Sequence, residues 1–377
     1  MVLTRRTHRE RMEISRWLPN ETIVEIIQHS TKADQATLVR VSKLFRDLCL
    51  PVLYRVVELD HKNAPNNINS FCSVIMKNPS RANAVRSFTV ILPWPRNDTS
   101  RRTKRCKGLL LASLKLMSKL NHLLISSLDD YTCILLQECN FPQLTSCNLL
   151  ASMYYDPSPE SADSVTVFLV HHPTLRRLHL NLSSGFASLL GRVTLPNLEY
   201  YEGGAGFVLV LDAISLKEVR LRWNSKDVDK IITTISSITK ADVPFISSHK
   251  YSGGICYQIM SSMSMHMRHT KTLRLSPLAH HDALPYQDTI RHITECLPRF
   301  TGLLYLAMEW SKRTCPTSGA NKHEDRIAVE GWGEACPTLE GCCLNHSCWR
   351  KVDGRWENYP VREFWVLAGL PDLAARY

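Results

Sequence analysis

Apolar residues recur along this chain with two different periods. From Leu18 to Leu48 the period is helical: Ile23, Ile26 and Ile27 stand at i, i+3 and i+4, and Leu38, Val41, Phe45 and Leu48 form a second stripe. Pro19 has no amide hydrogen and a fixed φ, which suits a first helical turn, and Glu21 and Glu25 meet the positive end of that helix dipole. A polar break, Ser30-Thr31-Lys32-Ala33-Asp34, separates the helices, with Asp34 the expected N-cap of the second. Two or three helices in about forty residues bury too little apolar surface to stand alone. Such a unit leans either on the rest of the chain, as an N-terminal cap, or on a partner.

Beyond residue 80 the period shortens to two. An apolar pair spaced Φ-x-Φ returns in Val85–Val90, Leu120–Ile125, Leu144–Leu149, Leu175–Leu180, Leu216–Leu221, Thr270–Leu275, Leu303–Met308 and Leu339–Leu344, with Leu198–Tyr201 a degenerate member. Two inward residues at that spacing predict a strand. Helical patterns lie between them, over Asn67–Met76, Cys106–Leu120, Ser161–His171, Asp227–Ile238, Asp288–Leu297 and Glu324–Cys336. Strand and helix alternate at roughly twenty to thirty-five residues per unit, a solenoid signature that a non-repeating α/β domain with parallel strands also fits. The stretch from Leu221 to Leu273 is long for one unit and hides either a repeat near Val243–Ile246 or an inserted loop.

Composition narrows the function classes. With 44% hydrophobic and 21% charged residues, the chain reads as globular, not disordered. The net charge of +11 allows an acidic protein or nucleic acid as partner, but the cations are spread out and no basic run with interleaved aromatics occurs. Thirteen cysteines, mostly inside apolar segments (Cys72, Cys133, Cys147, Cys296), read as buried free thiols of a reducing compartment. Met1–Arg16 is arginine-rich without an apolar core, so it reads as a solvated tail and not a secretory signal. No apolar run reaches the length of a membrane span. The expected location is therefore cytoplasmic or nuclear.

The order and spacing of Leu18-Pro19-x-Glu21, Ile23-x-x-Ile26-Ile27, Asp34 and Leu38-x-x-Val41-Ser42-Lys43-x-Phe45-Arg46 resemble an F-box, and Leu50-Pro51-Val52-Leu53-Tyr54-Arg55 resembles the segment that often follows one. Thr22, Ser30 and Gln35 stand where that family usually has leucines, which thins the partner-facing surface. The alternation that follows resembles divergent leucine-rich repeats. The resemblance implies an α/β protein with a small N-terminal helical F-box (16–60) after a basic tail (1–15). An irregular leucine-rich-repeat-like solenoid (61–345) and a C-terminal cap (346–377) follow. It further implies a Skp-type adaptor bound through Leu18, Pro19, Ile23, Ile26, Ile27, Leu38, Val41 and Phe45, a cullin–RING ubiquitin ligase beyond the adaptor, and a non-catalytic role as substrate receptor. The alternative is an interaction scaffold that uses the F-box outside a ligase, for which the three polar departures speak; a nucleic-acid-binding solenoid rests on net charge alone.

In such a repeat the residues alternating with the inward ones form the default binding surface. Here these are Arg177, His179 and Asn181, then Glu218, Arg220 and Arg222, then Thr272 and Arg274, then Tyr305. Arginine forks grip carboxylates or phosphates, so an acidic or phosphorylated partner is one reading of this strip, and plain solvated strand residues are the preferred one. Cys336, Cys342, Cys343, His346 and Cys348 offer zinc-type ligands without paired Cys-x-x-Cys spacing, and buried thiols are the preferred reading. His171-His172 and His280-His281 read as surface loops. No phosphate-binding loop, nucleophile elbow or metalloprotease motif occurs, and no cofactor or metal is expected. Trp349, Trp356, Tyr359, Phe364 and Trp365 are expected to cover the last repeat or to form an exposed aromatic patch.

Overall fold

The computed structural model describes residues 18–59, 64–91, 101–151, 158–182, 189–223, 227–278, 286–309, 322–345 and 347–375. They divide into two compact units, Met1–Ser127 with Glu138–Thr145 and Leu128–Gln137 with Ser146–Tyr377. Each is described in its own right. The arginine-rich N-terminal tail and His280-His281 lie outside the described residues.

Unit 1 begins with three helices, α1 (Asn20–His29), α2 (Lys32–Leu38) and α3 (Lys43–Leu53). Thr31, not Asp34, caps α2: its hydroxyl accepts the Asp34 amide at 3.2 Å and donates to the Asp34 carboxylate at 2.7 Å. Asp34 is thus the third helical residue of a reciprocal capping arrangement, a role that its charge at the positive helix end also serves. Ser42 caps α3 in the same way, accepting the Phe45 amide. Strands β1 (Val56–Leu59), β2 (Ser87–Val90) and β3 (His122–Leu128) follow in parallel, with Val57 opposite Phe88 and Phe88 opposite Leu123. Helices α4 (Ala64–Lys77) and α6 (Arg101–Lys115), with the single turn α5 (Pro79–Ala82) between, pack Ile68, Cys72, Ile75, Cys106, Leu110 and Leu114 at helical spacing into the core. The N-terminal helices and the first strands all fall in unit 1.

Unit 2 is a mixed α/β body with a large, mostly parallel sheet. Its strands run β4 (Ser146–Ala151), β5 (Arg177–Asn181), β7 (Tyr200–Gly204), β9 (Glu218–Arg222), β10 (Phe245–Tyr251), β11 (Thr270–Pro277), β12 (Tyr305–Met308) and β13 (Gly341–Leu344), all parallel; β14 (Ser347–Val352) and β15 (Arg355–Tyr359) continue it antiparallel. A separate two-stranded pair joins β6 (Val193–Thr194) and β8 (Leu211–Asp212). The helices are α7 (Asp130–Leu136), α8 (Pro159–Val170), α9 (Val228–Ile238), α10 (Ile255–His266), α11 (Tyr286–Cys296) and α12 (Lys322–Ala335); a 3-10 helix at Ala205–Val210 stands between β7 and β9. The region between Leu221 and Leu273 holds a full strand–helix unit, β10 with α10.

Every Φ-x-Φ pair of unit 2 points to one face, as the period of two requires: Cys147 and Leu149, Leu178 and Leu180, Val219 and Leu221, Leu273 and Leu275, Leu306 and Met308, Cys342 and Leu344 are buried. Strand β10 breaks the rule with Ser247 and His249, both buried. Their polarity is satisfied internally: the Trp223 indole N–H donates to His249 Nδ1 at 2.9 Å, so the imidazole proton sits on Nε2, 2.8 Å from the Ser247 hydroxyl. This strand is why the sequence shows no apolar pair there.

Candidate functional site

Two surfaces gather the residues singled out in the sequence. The first is the three-helix stretch of unit 1. Ile23, Ile27 and Cys49 form its small core, with Leu38, Val39, Phe45, Leu48 and Val52 packed partly buried around them. Four large apolar side chains of the stretch face outward: Leu18 is 42% exposed, Ile26 54%, Val41 62% and Leu44 39%, and Pro19 is exposed too. The expected docking set thus sorts into two groups. Ile23, Ile27, Leu38 and Phe45 hold the helices together, and Leu18, Pro19, Ile26 and Val41 are open to solvent; Leu44 joins them, a residue the sequence stripe passed over.

The polar departures of this stretch have internal work. Gln35 is buried, and its amide donates to the Ile27 carbonyl at 2.8 Å and the Ser30 carbonyl at 3.0 Å. Ser30 donates to the Ile26 carbonyl at 2.8 Å. Both serve carbonyls at the end of α1, where the Ile27 carbonyl also accepts the Ser30 amide at 3.2 Å. Lys32 reaches the last carbonyls of α3, at Leu53 (3.1 Å), where a cation meets the negative helix end; burial nevertheless pushes its pKa down.

The second surface is the sheet face of unit 2 opposite the helix-covered one. Register sets its residues in rows. One row reads Arg177, Tyr200, Glu218, Ile246, Thr272, Tyr305 and Gly341; the next reads His179, Glu202, Arg220, Ser248, Arg274, Ala307 and Cys343; beside them stand Asn181, Arg222, Lys250 and Ser276. All the residues predicted to point away from the core do so. They do not form an open strip of solvated arginines. Arg220 donates from Nε to Glu218 at 2.7 Å and holds both oxygens of Asp372, Nη2 to Oδ1 at 2.7 Å and Nη1 to Oδ2. Arg177 and Arg220 both lie over the Tyr200 ring, at 4.4 Å and 5.3 Å. Arg222 donates to Asn181. Arg274 is paired with Glu309 at 2.8 Å and lies 5.6 Å from the Trp365 ring.

The C-terminal residues account for this. Beyond the β14–β15 hairpin, which extends the sheet edge, helix α13 (Val361–Leu367) and the turn α14 (Pro371–Ala374) lie on this face. Phe364, Trp365, Ala368, Leu370, Leu373 and Ala374 are buried against Tyr305, Ala307, Cys343 and Cys348. Two glycines make the fit. A Cβ at Gly341 would stand 3.0 Å from Tyr305 and 3.2 Å from the Phe364 ring, and one at Gly369, whose φ is +79°, would stand 2.6 Å from Ile246. Thr272 donates to the Ala368 carbonyl at 2.8 Å. Thr272, Arg274 and Tyr305, expected on an open binding surface, are therefore buried beneath the chain's own end. The aromatic tail does not merely cover the last strand; it roofs the face over β10 to β13.

A notch of about 30 Å³ on this face is lined by Glu202, Gly203, Arg220, Leu221, Arg222, Ser248, Lys250, Arg274 and Leu373. Burial, then the cations of Arg222, Lys250 and Arg220, lower the pKa of His179, and the nearby Glu202 carboxylate opposes them. Burial raises the Glu218 carboxyl against the pull of Arg220.

The remaining candidates resolve on geometry. Cys342 and Cys343 occupy successive strand positions and point to opposite faces, Cys342 into the core and Cys343 under α13. They cannot share one ion, and His346 lies outside the described residues. His172, expected in a surface loop, is buried; it stacks on Phe168 with Nδ1 2.6 Å from the Phe168 carbonyl, because Pro173 turns the chain back after α8. The Ser247–His249 pair is no nucleophile with its base, since the Trp223 donor fixes the imidazole in the tautomer that offers its proton to the serine. The twelve described cysteines are buried, and none of them forms a disulfide. No helix among the described residues is long and apolar enough to cross a membrane. No protein-family model matches this chain, and no curated protein matches it as a relative.

Proposed function

We propose that this chain is an F-box substrate receptor, whose N-terminal helices dock a Skp-type adaptor and through it a cullin–RING ubiquitin ligase. The strand–helix units would act as an irregular leucine-rich-repeat-like solenoid that holds the target. The role is non-catalytic: the receptor raises the effective concentration of a target protein near a charged ubiquitin-conjugating enzyme, in the cytoplasm or nucleus. The observation that carries the reading is the exposure of Leu18, Ile26, Val41 and Leu44 on helices whose own core is only Ile23, Ile27 and Cys49. Exposed large apolar groups beside such a thin core fit a surface that a partner completes. The scaffold alternative drew on Thr22, Ser30 and Gln35; Ser30 and Gln35 serve the end of α1, so they give it no support.

Affinity purification of the full chain from cells, with partners read by mass spectrometry, tests the proposal. Wild type should bring down adaptor and cullin together. An Ile26→Asp/Val41→Asp variant, altered only at exposed positions, should lose both. Absence of the adaptor from the wild-type sample, or its retention by the variant, would overturn the reading.

A further inference from the structure

The ion pair between Arg220 and Asp372 joins residues 152 positions apart. The two partners are unequally placed: the Arg220 side chain is 16% exposed and fixed by Glu218 and Tyr200, whereas the Asp372 side chain is 48% exposed. A half-buried guanidinium thus holds a carboxylate at the solvent rim with its two-pronged edge, and the same Arg220 lines the notch. Arg222 and Lys250 line the same notch. Leu370, Leu373 and Ala374 anchor α14 by burial, so the docking of the turn does not depend on the Arg220–Asp372 pair.

We infer that the notch at Arg220, Arg222 and Lys250 is a receptor site for a side-chain carboxylate of an acidic protein segment, and that Asp372 is its resident internal competitor. The inference deepens the receptor reading and rests on it only for the fate of the bound partner. The group that Arg220 already holds is a carboxylate. The forked pairing of Arg220 with both Asp372 oxygens is the bidentate match that guanidinium makes with that group. The notch, about 30 Å³, admits one head group. A nucleic-acid backbone needs a continuous run of cations, and here Glu202, Glu218 and Glu309 interrupt the rows. Displacement is isoelectric: the incoming carboxylate replaces the charge that Asp372 withdraws, so no buried cation is left uncompensated during exchange.

The test is fluorescence anisotropy of a labelled deca-glutamate peptide on the full chain. An exposed-side ion pair of this kind shifts an equilibrium by up to about fivefold, so D372A should bind the peptide about fivefold tighter than wild type. R222Q/K250Q, both at partly exposed positions, should weaken binding about tenfold or more with an unchanged unfolding midpoint. R220Q should abolish the gain from D372A; if R220Q proves unstable, the R222Q/K250Q result alone decides. Equal peptide affinity in wild type and D372A, or full binding by R222Q/K250Q, would overturn the site. So would a single-stranded oligonucleotide that binds more tightly than the peptide and depends on the same residues. Adaptor capture by these variants is measured alongside: loss of adaptor binding in wild type sinks the receptor reading and leaves the notch standing, whereas failure of the peptide arm does the reverse.

Discussion

Removing the Arg274 charge gives the sharpest test of how the C-terminal roof changes the sheet face. Arg274 donates to Glu309 through Nε at 3.1 Å and through Nη2 at 2.8 and 3.0 Å, and to Ser248 at 3.3 Å; Ser276 adds a bond to Glu309 at 2.8 Å. The side chains are 7% and 17% exposed. Arg274→Met keeps most of the volume and takes away the charge. Glu309 then keeps only Ser276 among these partners, and breaking one side of a buried pair costs about 3–5 kcal/mol. On an open strip the same change would cost about 0–1 kcal/mol. Urea unfolding followed by tryptophan fluorescence is weighted to this unit, because six of the eight tryptophans, all but Trp17 and Trp94, belong to unit 2. The Arg274→Met/Glu309→Leu double variant should regain most of the loss, since an apolar pair needs no compensation. A loss below about 1 kcal/mol, or a double variant no better than the single, would refute the buried-pair reasoning.

Three further outcomes follow from the same contacts. Gln35→Ala should lower the stability of unit 1 by about 1–3 kcal/mol, because the Ser30 carbonyl loses this donor and the Ile27 carbonyl is left with the Ser30 amide alone; hydrogen exchange at the α1 end would register it, and unchanged protection would contradict it. Burial pushes the His249 imidazole down to about 3 from its usual 6.5. The folded state therefore binds fewer protons than the unfolded one between those values, so stability is full above pH 6.5 and falls on acidification by about 1.4 kcal/mol per pH unit until about pH 3; His249→Gln should flatten that slope, and parallel pH profiles would count against it. Burial also raises the thiols, Cys72 to about 11 and Cys139 to about 12, so a thiol reagent should leave the twelve described cysteines unlabelled in the native protein and label them after unfolding. Rapid native labelling of several cysteines would show the core to be open.

Much of this architecture was legible because local signals and burial agreed. The Φ-x-Φ pairs became the strands, and Val228, Ile231, Ile232 and Ile235 became the buried stripe of α9. The rows of outward residues followed from the period of two alone. The illegible parts are those in which distant segments decide. Nothing near Arg274 or Tyr305 announces that residues about sixty to ninety positions later will cover them, or that Asp372 will neutralise Arg220. Strand β10 escaped the apolar pattern because a tryptophan from the end of β9 satisfies its histidine. Gln35 read as a departure from a leucine pattern, and only the meeting of α1 and α2 shows the carbonyls it serves. At Asp34 the error was local: Thr31, three residues earlier, took the cap and left aspartate to reciprocate.

The receptor account turns on a foreign surface covering Leu18, Ile26, Val41 and Leu44. Calorimetric titration of the purified chain with a Skp-type adaptor measures that directly. Burying Ile26 and Val41 together is worth about 3 kcal/mol or more, about a hundredfold in affinity. The account predicts saturable binding by wild type and at least that much weakening in Ile26→Asp/Val41→Asp. No heat of binding from a folded wild-type chain, or equal affinities for the two proteins, would contradict it.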